Sequence, residues 1–277
     1  MAEDQAFQEW IGRTDGPFHD QISPRLCNQF AATFGSSLAV TDNAPVGIHW
    51  CLSPPAVGPE SIGVDGHPKK GGFLPPISLP RRMWASGAID FLAPLEKGDT
   101  VEKKSNIKDI AFKTGRSGNL CFVTVEHEFT SERGVAIRED QNIVFREEAT
   151  GPAPSPEPPE NRPTFEHETS YSVTSVALFR YSALTFNGHR IHYDTPYAIN
   201  QEFYPDLVVH GPIQGTLLMN LASSLKSSIP KRFEYRGVAP ATGVQMLTIG
   251  ANMDGESMQL SVVCENGIET MKAKATW

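Results

Sequence analysis

The sequence has no long apolar run, no excess of positive charge and no paired cysteine motif, and each absence excludes a class of function. No stretch of about 18 apolar residues occurs, so no membrane-spanning helix is expected. A formal net charge of −8 over 277 residues argues against nucleic acid as a partner, because phosphate recognition calls for a basic face. The opening MAEDQAFQEW is acidic and lacks the apolar segment of a secretory leader. Cys27, Cys51, Cys121 and Cys264 are scattered without the spacing of zinc ligands. They are expected to be reduced, buried thiols of a cytoplasmic protein. Neither HExxH nor GxSxG is present, so the signatures of zinc peptidases and of α/β-hydrolase nucleophile elbows are missing.

What is present reads as a water-soluble globular chain, 39% hydrophobic and 20% charged, long enough to bury a substantial core. One boundary stands out. ATGPAPSPEPPENRPT, 149–164, carries six prolines, which supply neither helix nor ladder hydrogen bonds, so an extended connector is expected there. It separates residues 1–148 from 165–277. The two sides carry similar patterns. NLCFVTVEHEF before the connector and SMQLSVVCEN after it alternate with period two, each behind a glycine-containing turn, GRSG or MDGES. Phe91, Pro94 and Gly98 loosely match Phe233, Pro240 and Gly243. A helical stretch precedes each strand set: SPRLCNQFAATFG in the first half and GPIQGTLLMNLASSLKSS in the second. The latter places Ile213, Leu217, Leu218, Leu221 and Leu225 on one stripe. Each half therefore reads as a helix against a curled antiparallel sheet, an α+β arrangement.

The densest group of chemistry-bearing residues is ALTFNGHRIHYD, 183–194. VTSVALFRYSALTFN before it is expected to be a strand, which makes this segment a connection leading to the apolar helix, a place where functional side chains are held on a rigid frame. A polar turn would account for the residue types. A zinc site would need further ligands at usable spacing, and no cysteine pair or HExxH supplies them.

The wider context carries a resemblance. In the register Thr185-Phe186-Asn187-Gly188-His189-Arg190-Ile191-His192-Tyr193-Asp194 the segment resembles the hydratase motif of MaoC-type, R-specific enoyl-CoA hydratases, Ser-Gly-Asp-x-Asn-Pro-Ile-His-x-Asp. HGPIQG, from His210, is similar to the His-Gly that opens the central helix of that family. FRYSALTFNGHRIHYD and GGFLPPISLPRRMWASGAIDFLAPLEKGD resemble the branch comprising hydroxyacyl-thioester dehydratases type 2 and the mesaconyl-C4-CoA and itaconyl-CoA hydratases. The resemblance implies a double hotdog, two halves each with a central helix wrapped by an antiparallel sheet, with the catalytic constellation in the second half. It implies a hydro-lyase acting on an enoyl-CoA, with no metal and no cofactor beyond the coenzyme A carried by the substrate. A homodimer is the partner it allows.

The motif is not intact. Asn187 stands where the family has an aspartate and His189 where it has an asparagine, so His192 is the surviving member of the acid–base pair. Histidine suits proton abstraction from water because its pKa lies near neutrality. Asn187 is expected to orient that water, and Gly211 to offer a backbone N–H to the thioester oxygen at a helix N-terminus. Tyr181, Arg180, His189, Asp194 and Arg232 are expected to bind substrate, Arg232 through the phosphates of coenzyme A. A dicarboxylic acyl chain would need a cation, for which Arg180, Arg190 and Arg82 all qualify. A hotdog thioesterase is disfavoured, because the second-half helix carries no carboxylate. A non-catalytic acyl-CoA-binding module is the remaining alternative.

Overall fold

The structure, a computed structural model, describes residues 7–115, 118–152 and 156–277. In chain order its elements are β1 (Thr14–Gln21), α1 (Pro24–Phe34), β2 (Arg81–Phe91), β3 (Thr100–Gly115), β4 (Gly118–Ser131), β5 (Gly134–Arg146), β6 (His167–Val173), α2 (Ser175–Leu184), α3 (Thr195–Asn200), α4 (Gly211–Lys226), β7 (Arg232–Gly237), β8 (Gln245–Asp254), β9 (Ser257–Val263) and β10 (Glu269–Thr276). All strands join one antiparallel sheet in the order β1-β3-β4-β5-β2-β7-β10-β9-β8-β6. Read from either edge inwards the order is the same: first strand, third, fourth, fifth, second. The sheet is thus two equivalent halves joined at β2 and β7, where Ile89 pairs with Phe233 and Gly87 with Tyr235.

The alternating stretches noted in the sequence fall on the equivalent strands β4 and β9; β4 alternates in burial as a half-buried strand does, whereas β9 is buried on both faces except at Gln259. Residues 147–166 contain neither helix nor strand among those described and are mostly exposed; 153–155 lie outside the described residues. The GRSG turn likewise falls partly outside them, at 116–117. All four cysteines are buried and none is part of a disulfide.

The strand expected over VTSVALFRYSALTFN is a helix, α2. Thr174 caps it, its side-chain oxygen accepting from the Ala177 N–H at 3.1 Å, and its buried residues Ala177, Leu178, Tyr181 and Ser182 recur at helical spacing. The helix follows β6 directly, as α1 follows β1. The long apolar helix α4 stands in the second half alone. In the corresponding place, 35–80, the first half has only short 3₁₀ turns and the bridge Ile62–Pro68.

That loop packs on α4 instead. Asn220 accepts from the Ala39 N–H and donates to the Val46 carbonyl, each at 3.0 Å. A Cβ on Gly215 would meet the Trp50 ring, and one on Gly47 the Thr216 side chain, both at 2.8 Å. Strands β7–β10 cover the rest of the helix. Burial therefore runs around α4 rather than along one stripe: Ile213 to Asn220 are all buried, while Leu225 at the far end is exposed.

At the joint between the halves, the backbone of Gly87 makes room for the Tyr235 side chain, and a Cβ there would also lie 2.5 Å from the Asp140 carbonyl. Gly87→Ala is therefore expected to cost about 1–3 kcal/mol through overpacking. Urea denaturation followed by circular dichroism checks this; an unchanged midpoint would show that the joint can relax.

Candidate active site

The site begins where α2 ends. Phe186 adopts a left-handed φ of 47°, turning the chain back so that the Asn187 N–H reaches the Ser182 carbonyl at 2.8 Å. Asn187 Oδ1 accepts from the His189 N–H at 3.0 Å, a local side-chain turn that aims His189 inward. A 3₁₀ turn over Arg190–His192 follows. His192 is then held from two sides: the Val208 N–H donates to the Ile191 carbonyl, and His192 Nδ1 lies 2.7 Å from the Val208 carbonyl. A carbonyl accepts only, so Nδ1 carries the proton and Nε2 keeps its lone pair. That nitrogen has no hydrogen bond among the described residues. His210 precedes α4, and its ring stacks on His192 at 3.6 Å between centroids. Ser182 Oγ lies 2.9 Å from His210 Nε2. His189 meets His192 edge-on at 5.4 Å.

The first half enters the same site. Its turn at 62–68 lies against the motif: the Arg190 N–H donates to the Asp65 carbonyl at 2.9 Å, and Arg190 Nη1 to the Val64 carbonyl at 3.0 Å. Gly66, at φ 90°, comes so near Gly188 that a Cβ on Gly66 would run into the Gly188 carbonyl. This turn places the His67 ring 4.1 Å from that of His189, with His67 Nδ1 at 2.9 Å from Asp65 Oδ2. Arg82 of β2 stands behind, Nε 3.7 Å from the same oxygen and Nη2 donating to the Pro68 carbonyl. Asp65, His67 and His189 offer donor atoms within 4.8 Å of one another, as a metal site would. The nearby guanidinium already supplies the positive charge that this carboxylate calls for.

Burial sets the electrostatics. It lowers the pKa of His192 to about 4, against the Val208 bond, which raises it. It lowers His189 to about 2, helped by His192, Arg82 and His210. His210 falls well below its ordinary value for the same first cause. Asp65 is raised by burial, with Arg82 opposing. The ring cluster is therefore neutral at pH 7, and His192 is ready to accept a proton.

Of the residues expected from sequence, His192, His189, Asn187 and Gly211 stand on this motif or at the start of α4. Tyr181 is buried beside the cluster, its ring 5.1 Å from that of His210. Gly211 is needed for a further reason: the Trp84 indole occupies the place of its missing Cβ. The others face elsewhere. Arg180 is exposed and donates to the Ala32 carbonyl at 3.1 Å, closing the end of α1. Asp194 caps α3 through the Tyr197 N–H and pairs with Arg190 at 2.8 Å. Arg232 is paired with Asp90 at 2.8 Å and with Glu234 at 3.3 Å. Asp65 and His67 were missed. Their signal was SIGVDGHPKKGG, a glycine-bracketed turn carrying an acid and a histidine, which nothing in the linear sequence connects with residue 189. A cavity of about 370 Å³, bordered by Val46, His49, Phe91, Ile229 and Lys231, lies towards the other end of α4 and includes none of the motif.

Residues 47–243 match the family model for hydroxyacyl-thioester dehydratase type 2. A mesaconyl-C4-CoA hydratase of Chloroflexus aurantiacus is 38% identical over 272 residues, 95% of either chain. Among solved structures, HtdX of Mycobacterium tuberculosis superposes with a TM-score of 0.69 at 16% identity, covering 95% of this chain and 99% of its own. A second protein of that organism, described as a double hotdog fold, gives 0.57 at 13% identity over 96% and 95%. The fold is a double hotdog.

Neutral buried histidines make stability depend on pH. In the unfolded chain a histidine titrates near about 6.5. His192 and His127 do so near about 4 when folded, and His189 near about 2. The unfolded form therefore binds protons that the fold refuses, and stability falls as pH drops from about 6.5 towards 4, by up to about 1.4 kcal/mol per pH unit for each group. Above that window these groups contribute no slope. Urea midpoints at pH 7, 6 and 5 are expected to fall in that order; a flat series would mean the rings are charged or exposed.

Proposed function

The chain belongs to the hydroxyacyl-thioester dehydratase type 2 family, and on that premise we propose that it is a hydro-lyase adding water across the double bond of a short branched or dicarboxylic enoyl-CoA, mesaconyl-C4-CoA giving citramalyl-CoA. The observation that carries this reading is His192: its Nδ1–H is spent on the Val208 carbonyl, its basic Nε2 is open, and it stacks on the residue that starts α4. In the hydration, Nε2 takes a proton from water as the water oxygen bonds to Cβ. The π electrons move towards the thioester oxygen, and the Gly211 N–H at the helix start is the donor suited to it. Asn187 titrates no proton, and its bond to the His189 N–H assigns it to shaping the turn as well as holding water. Itaconyl-CoA and 3-hydroxyacyl thioesters are the rival substrates.

The test is mass spectrometry of a panel of acyl-CoAs after incubation. A gain of one water supports the reading, whereas release of free coenzyme A would replace it with a thioesterase. His192→Ala is expected to lower turnover by about two to four orders of magnitude, as loss of a general base does. More than about a third of wild-type turnover would make His192 structural.

A dicarboxylic chain needs a cation, and the arginines differ. Arg180 is spent on α1 and Arg190 on Asp194, whereas Arg82 is buried beside the motif, its Nε 3.7 Å from Asp65 and without a hydrogen bond. Arg82→Met is therefore expected to lower kcat/KM for mesaconyl-C4-CoA by about 10- to 150-fold, the worth of about 1.5–3 kcal/mol for a charge-assisted bond. Crotonyl-CoA, which has no free carboxylate, should lose less by at least about tenfold, its own loss coming from the buried Asp65 carboxylate left without its counter-charge. Equal losses on both would remove Arg82 from carboxylate recognition.

A further inference from the structure

Hydration moves two protons: one leaves water and one arrives at Cα. The aspartate that the motif lacks at 187 leaves His192 to do both, although it is one ring with one open nitrogen. The first half brings a second titratable pair to the same place. Asp65 and His67 form a carboxylate–imidazole dyad at 2.9 Å, with the His67 ring 4.1 Å from His189, itself edge-on to His192. Three anchors hold the turn to the motif: the Arg190 N–H on the Asp65 carbonyl, Arg190 Nη1 on the Val64 carbonyl, and the backbone contact of Gly66 with Gly188. A loop serving only as surface connection would need no such register with residues 188–190.

We propose that His67, oriented by Asp65, is a second catalytic residue of this site, the acid that delivers the proton to Cα. Resting on the hydratase reading, the inference gives the reaction two proton carriers, one from each half. His192 Nε2 takes the proton of water as the oxygen–Cβ bond forms, and the Cα=Cβ electron pair becomes the enolate. The imidazolium of His67 gives a proton to Cα, the enolate electrons form the new Cα–H bond, and neutral His67 remains. Proton return from His192, through His189 or solvent, restores both groups, so one water is consumed and nothing else. The Asp65 carboxylate favours the charged form of His67. The other charged and titratable groups around the dyad are Lys70 on its own loop, Arg81 and Arg82 from β2, His189, Arg190 and His192 from the motif, and Tyr197 of α3.

The experiment is the pH dependence of kcat/KM for wild type, His67→Asn, Asp65→Asn and His192→Ala on the enoyl-CoA that wild type hydrates best. The wild-type basic limb is expected to belong to His67. His67→Asn should lose about 10²-fold or more and that limb with it. Asp65→Asn should move the limb to lower pH, since the imidazolium loses its counter-charge. Added imidazole should restore part of the activity of His67→Gly, which a packing role would not allow. Thermal melts identify any variant that fails to fold; the limb shift in Asp65→Asn, whose shape is conserved, then carries the test. An unmoved basic limb in Asp65→Asn, or more than about a third of activity in folded His67→Asn, overturns the dyad. If His192→Ala is inactive while the dyad variants match wild type, the hydratase reading stands and only this inference falls; if wild type hydrates no enoyl-CoA, both fall.

Discussion

The structure depends on one helix being enclosed by both halves of the chain. Helix α4 lies within the curl of β7–β10 and is closed on its other side by the first-half loop, through Asn220 and Gly215, and by Trp84 of β2 at Gly211. The close approach is possible because two of these residues have no side chain where the indoles of Trp50 and Trp84 rest. Those rings are fixed in turn. Trp84 stacks on Tyr235 at 4.3 Å, and Trp50 Nε1 and Tyr235 Oη both donate to the buried carboxylate of Glu139, at 3.1 and 2.8 Å. Burial pushes the Glu139 pKa up, but His49, His127 and Tyr235 outweigh it and hold the group ionised. A buried carboxylate with several donors rigidifies what it touches, because losing any partner would leave a charge unsatisfied.

From this joint the asymmetry of a duplicated fold follows. Equivalent strands build equivalent half-sheets, yet only one half supplies a central helix and one helix N-terminus. The other half has given up its helix for a long loop, which spends its first part on covering α4 and its last on the turn at 62–68. The result is a single site assembled across the pseudo-two-fold. The rings of His189, His192 and His210 are kept neutral by burial, while the charges of Asp65, Arg81, Arg82 and Glu202 stand at its border.

What the sequence disclosed was local. The pleated alternation of β4, the Ser23-capped helix α1 and the apolar run of α4 all declare themselves within a dozen residues. So does the motif, because Asn187, His189 and His192 lie within one tight turn and its 3₁₀ continuation. Helix α2 was misread because Val176, Phe179 and Tyr181 suit a strand; the Thr174 cap and the recurrence of Ala177, Leu178, Tyr181 and Ser182 were the better signal. Side-chain direction was beyond reach. Arg180 and Tyr181 are neighbours, yet one turns to α1 and the other to His210. Contacts across the halves were also silent, which is why Asp65 and His67 stayed invisible while their partner at 189 did not.

The loop over α4 also sets an order of events during synthesis. Ile48, Trp50, Cys51 and Leu52 leave the ribosome well before residues 211–226, the surface they cover. At about 5–20 residues per second that interval lasts on the order of ten seconds or more. Once Arg146 has emerged, the five strands of the first half can pair with one another, but the apolar face formed with Ile48, Trp50, Cys51 and Leu52 still has no helix to close on. The nascent chain must hold that face open until the second half arrives, and this is the interval in which a chaperone would find it.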